Sequence, residues 1–85
     1  MKKFSYKIKD EAGIHARPAG LLVKTAGKFQ SEIKLLCGDK SADAKRLFAV
    51  MGMGVKYNSD VTVTAEGTDE ELAISELESF FEENL

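Results

Sequence analysis

At 85 residues the chain has room for one small domain with a limited core, and a deep cleft between domains is excluded. Hydrophobic residues make up 44% of it and are spread along its whole length, which argues against disorder. The net charge of -2 hides an asymmetry: the first 56 residues carry all 12 Lys and Arg against 5 acids, and the rest carries 9 acids and no Lys or Arg.

Phe4, Tyr6 and Ile8 alternate with Ser5, Lys7 and Lys9, the two-residue period of a strand with one buried face. From Ala16 the period becomes helical, with Ala19, Leu22, Val23 and Ala26 on one face and Gly27 placed to end the helix. Pro18 fits a first turn, where a missing amide hydrogen costs little. Ile33, Leu35 and Cys37 alternate again, and Gly38-Asp39 turns the chain into a short run at Ser41 to Asp43, predicting a hairpin. Leu47, Phe48, Val50 and Met51 predict a helix of one or two turns ending at Gly52 and Gly54. Val61, Val63 and Ala65 give a fourth strand closed by Gly67. Thr68 with Glu71 reads as a capping box opening a terminal helix lined by Ala73, Leu77, Phe80 and Phe81.

The resulting order β-α-β-β-α-β-α predicts an α+β fold, a four-stranded, mostly antiparallel sheet with helices on one face, in a single domain over residues 1–85. No stretch reaches the ~20 apolar residues of a membrane span. The lone Cys37 has no disulfide partner and no signal-like segment opens the chain, so the expected compartment is the cytoplasm.

The segment Gly13-Ile14-His15-Ala16-Arg17-Pro18-Ala19 carries the chemistry. His15 falls at the cap of the first helix. An ordinary imidazole, with a pKa of about 6.5, is largely neutral in the cytoplasm and keeps one lone pair able to attack phosphorus. Once modified, it would present oxygens to the free amides of Ala16 and Arg17 and to the positive helix end. The Arg17 guanidinium lies in the same turn, where a fork of donors suits phosphoryl oxygens. No second His, Asp pair or metal cluster is present to activate water, so the pattern suits a carrier better than a hydrolase. One His and one distant Cys do not make a zinc site, and neither a metal nor a cofactor is expected. A nucleic-acid partner is disfavoured as well, because the basic residues are scattered and the terminal helix is acidic.

These residues, with Gly-Asp-Lys-Ser at 38–41, Leu47-Phe48 and Val-Thr-Val-Thr-Ala-Glu-Gly at 61–67, give the whole chain a resemblance to the HPr family. These are histidine-containing phosphocarriers of the phosphoenolpyruvate-dependent sugar phosphotransferase system. The resemblance implies an open-faced β-sandwich of four strands and three helices, a monomer, and no direct membrane insertion. It further implies that His15 accepts a phosphoryl group on Nδ1 from phosphorylated enzyme I and donates it to IIA proteins or domains, with Arg17 stabilising the phosphate. The family's short helix docks partners through exposed apolar residues, which puts Leu47, Phe48 and Met51 on the docking surface. Gly20, Leu21 and Lys24 on the first helix extend it. Several large side chains in so short a helix cannot all face inward. The sequence departs from the family at Arg46, where many members have a serine that a kinase phosphorylates. Arginine cannot serve that role, and it adds positive charge beside Lys45. Two alternatives stay open: an HPr-like module that docks to regulators, and a carrier in a nitrogen-linked relay.

Overall fold

A computed structural model describes all residues from Met1 to Leu85. Its elements are β1 (Lys2–Lys7), α1 (Ala16–Ala26), β2 (Glu32–Cys37), β3 (Lys40–Asp43), α2 (Leu47–Gly52), β4 (Asp60–Glu66) and α3 (Glu70–Asn84), in the order expected from the hydrophobic periods. The strands form one sheet in the order β1-β4-β2-β3, with every neighbouring pair antiparallel. Strands adjacent in sequence are paired only in the β2–β3 hairpin, which turns at Gly38 with a positive φ of 62°. This φ lies in the region where a side chain is strained and glycine is not.

The period-two pattern decides which face is covered. Ile33 and Leu35 on β2 and Val61, Val63 and Ala65 on β4 are buried under the helices. Their neighbours Lys34, Leu36, Thr62 and Thr64 look out from the bare face, where the Ser5 and Thr62 hydroxyls hydrogen-bond across β1 and β4 at 3.0 Å. Three helices thus cover one side of an antiparallel sheet, an open-faced β-sandwich. Phe81 of α3 sits fully buried between β1 side chains, with the Phe4 and Tyr6 rings meeting it edge-on at 5.5 and 5.6 Å. Burial of a side chain of this size contributes about 1.5–3 kcal/mol. Phe80, predicted on the same face, is only half-buried and leans edge-on against Phe81.

The opening of α3 differs from the expected capping box. The cap residue is Asp69, one position later than Thr68, and it makes no side-chain cap bond. Its carboxylate is taken instead by the loop after α1. Oδ2 accepts from the Gln30 amide at 2.9 Å, and Oδ1 accepts from the Ser31 amide at 2.9 Å and from the Ser31 hydroxyl. Glu70, not Glu71, reaches back to the chain before the helix, accepting from the Gly67 amide at 3.1 Å. A long-range latch outcompetes the local cap because it satisfies three donors with one carboxylate. These bonds favour the ionised acid, and the Ser31 hydroxyl is the main reason the Asp69 carboxyl is held below its ordinary value.

Candidate functional site

His15 is the N-cap of α1, with extended backbone (φ -100°, ψ -176°) and no side-chain cap bond. Its ring is therefore not consumed in closing the helix, and its side chain is 42% exposed. The helical ladder begins with the Ala19 amide donating to the His15 carbonyl at 2.9 Å. The Ala16 and Arg17 amides precede that first bond, and Pro18 has no amide hydrogen. No acid lies in the first turn of α1, so nothing on the helix itself offsets the positive end of its dipole. Arg17 is exposed and makes no ion pair.

The approach to His15 is fixed by a close crossing of two backbones. Gly13 has a φ of 69°, and a Cβ there would collide with the Val55 carbonyl oxygen and Lys56 Cα. Only glycine meets both demands. The next residue, Ile14, is buried and donates its amide to the Val55 carbonyl at 3.1 Å, so the residue preceding the histidine is tied to the loop between α2 and β4.

His15 and Arg17 line a depression of about 230 Å³ with Asp10, Pro18, Leu21, Glu83 and Asn84. The structure therefore brings together His15, Arg17 and Leu21 of the residues singled out from sequence. It adds three polar residues that sequence reasoning missed: Asp10, Glu83 and Asn84. Asp10 Oδ2 lies 3.5 Å from His15 Nε2. Asp10 had a local signal, an acid three residues before a glycine, which is the pattern of a tight turn. Glu83 and Asn84 had none, because only the packing of α3 against α1 carries them there. No three His, Cys, Asp or Glu side chains converge to hold a metal ion.

The other singled-out residues fall on two touching helices, α1 and α2. Val50 alone is buried within α2. Phe48 is 87% exposed, Leu47 and Met51 remain open to solvent, and so do Leu21 and Lys24 on α1, with Gly20 half-buried. Arg46 is the N-cap of α2, without a side-chain cap bond, and its Nε lies 3.8 Å from Asp43 Oδ2. Lys45 does not stand beside it as free charge, since its Nζ donates to the Phe29 carbonyl at 2.7 Å.

The family model for the PTS HPr component phosphorylation site matches residues 2–83. The chain belongs to the HPr family. Among its relatives, the phosphocarrier protein HPr of Mycoplasma genitalium is 41% identical over 85 residues, covering 99% of this chain and 97% of that one. The crystal structure of HPr-C-His from Thermoanaerobacter tengcongensis superposes with a TM-score of 0.92 at 43% identity, covering 96% of this chain and 92% of the other. An HPr dimer from the same organism superposes with a TM-score of 0.78 at 42% identity, covering 98% of this chain and 95% of that one. The open-faced sandwich is thus the fold of HPr structures, and no helix of this chain is long and apolar enough to cross a membrane.

Proposed function

We propose that this HPr-family chain carries phosphoryl groups on His15, taking them from phosphorylated enzyme I and giving them to IIA proteins or domains in sugar uptake. The observation that carries the reading is an exposed N-cap histidine whose ring makes no cap bond, with Arg17 and two amides outside the helical ladder in the same turn. In this reading the lone pair of Nδ1 forms the bond to phosphorus while the bond to the donor breaks and its electron pair leaves on the donor. Transfer to IIA repeats the exchange, with His15 now the leaving group. The amides of Ala16 and Arg17 and the Arg17 guanidinium face the phosphoryl oxygens. Their exposure keeps the stabilisation modest, which a carrier requires, since a tightly held group is not passed on.

Leu21, Leu47, Phe48 and Met51 form the partner-docking surface in this reading, flanked by Gly20 and Lys24. Aromatic and aliphatic side chains held in solvent on two touching helices suit burial against a partner. Arg46 supplies a permanent positive charge at the regulatory-serine position, which removes serine phosphorylation there and attracts acidic partners. The protein acts as a carrier and not as an enzyme, as a cytoplasmic monomer; the T. tengcongensis dimer makes the two-chain form the alternative, read by sedimentation. Arg46 is also what favours the second reading, a regulatory docking module.

The test is incubation with enzyme I, magnesium and phosphoenolpyruvate, followed by mass spectrometry and phosphorus NMR. One acid-labile phosphoryl group on the wild type and none on His15→Ala is the expected result, and added IIA should remove it. An unlabelled wild type with a matched enzyme I would overturn the carrier reading in favour of the docking module.

A further inference from the structure

The turn between β1 and α1 holds Asp10 in place through three main-chain links. Its amide donates to the Leu85 carbonyl at 2.8 Å, and its carbonyl accepts from the Gly13 amide at 2.9 Å, closing a four-residue turn. Its Oδ1 accepts from the Ala12 amide at 2.8 Å. With Oδ1 engaged, Oδ2 is left over, and it lies 3.5 Å from His15 Nε2 on a side chain only 32% exposed. Of the charged groups lining the depression, Arg17 projects from α1 and Glu83 from α3, and Asp10 alone lies within ion-pair distance of the ring.

A neutral imidazole has one proton for two nitrogens, so one nitrogen donates and the other holds the lone pair. A carboxylate facing Nε2 draws the proton to that side and leaves the lone pair on Nδ1. We infer that Asp10 is a positioning residue for phosphoryl transfer, its Oδ2 holding His15 as the Nε2–H tautomer and fixing the ring so that Nδ1 meets the incoming phosphorus. This inference rests on the carrier reading. The 3.5 Å separation is long for a hydrogen bond, and contacts of this kind tighten when a bound partner excludes water. The same carboxylate then faces the positive ring that forms when Nδ1 bonds to phosphorus, as the acid of a Ser-His-Asp triad faces its imidazolium.

The experiment uses nitrogen-15-labelled protein without any partner, at about pH 8, where an ordinary imidazole is neutral. Two-bond proton–nitrogen correlation reads the tautomer directly. The wild type should show widely separated ring nitrogens of the Nε2–H form, and Asp10→Ala should draw them together toward an exchange average. Asp10→Asn keeps an acceptor for the Ala12 amide but turns an NH2 donor toward Nε2, and should shift the ring toward the Nδ1–H form. Phosphoryl uptake from enzyme I by Asp10→Ala should slow by roughly tenfold to a hundredfold, the scale of a misoriented reacting group. Ring shifts of Asp10→Ala indistinguishable from the wild type would overturn the inference whatever the rate does. Failure of the carrier reading looks different: the wild type then takes up no phosphoryl group, while the ring shifts, measured on the unmodified protein, still report on Asp10.

Discussion

The starts of α1 and α3 face the same electrostatic problem and solve it in opposite ways. Each helix begins with amides that have no intrahelical acceptor and with the positive end of its dipole, and neither has a side-chain cap bond. At α3 the chain answers with its own acids: Glu70 and Glu71 lie in the first turn. Glu70 accepts from the Gly67 amide, and its other oxygen pairs with the N-terminal ammonium at 3.1 Å. At α1 the first turn holds no acid and carries Arg17, and the acid that does approach His15, Asp10, comes from the loop before the helix and faces Nε2. A helix start that neutralises itself serves stability, whereas one left unneutralised is available to an anion brought from outside.

The largest effect that sharpens this contrast is expected at Arg17. Arg17→Ala should lower the rate of phosphoryl uptake by about a hundredfold, the scale of losing one preorganised donor, with thermal stability unchanged because the side chain has no ion partner. Quenched-flow transfer from enzyme I measures the first and a melting curve the second. Equal rates would mean that α1's charge is not directed at the phosphoryl group.

The α3 start should instead respond to acid. Hydrogen bonds hold both Asp69 and Glu70 below their ordinary values, from the Ser31 hydroxyl foremost at Asp69 and the Gly67 amide foremost at Glu70. A lowered folded-state value means the unfolded chain binds more protons in this range. Their contribution is therefore complete above the ordinary carboxylate values and is lost as the pH falls through the folded ones. Urea midpoints of Asp69→Asn should lie below wild type at neutral pH and converge with it on acidification. Phosphoryl uptake at His15 should not change.

Docking divides from folding in the same manner. Phe48→Ala should raise the KM of enzyme I for this protein by roughly tenfold while leaving stability within about 0.5 kcal/mol, because an 87% exposed ring has little packing to lose. The smallest effect comes from making α1 resemble α3. Ala16→Glu places an acid in the first turn and should stabilise the fold by about 0.3–1 kcal/mol, by chemical denaturation, while slowing phosphoryl uptake. A variant that gained stability and kept its full rate would break the comparison.

The order of elements was legible because each has its own hydrophobic period, and His15 at a helix cap followed from where that period changes. That some large side chains of α2 must face solvent was legible from its length, and the resemblance to the HPr family put Phe48 among them. Thr68 was misread because a capping box is a local pattern, and Asp69 is claimed by Gln30 and Ser31, 38 or more residues away. Glu83 was invisible for the same kind of reason, since its place beside His15 exists only after α3 packs.

The backbone ties of the histidine loop also carry a consequence for synthesis. Ile14 is bonded to Val55, and Lys9 and Asp10 are both bonded to the Leu85 carbonyl, so residues from the first fifth of the chain are held by residues from its last two-fifths. β1 likewise waits for β4 as its only partner in the sheet. Contacts this distant along the chain form late. A ribosome therefore releases His15 early but cannot deliver a finished site until Leu85 has left the exit tunnel, and until then His15 sits on an unanchored loop.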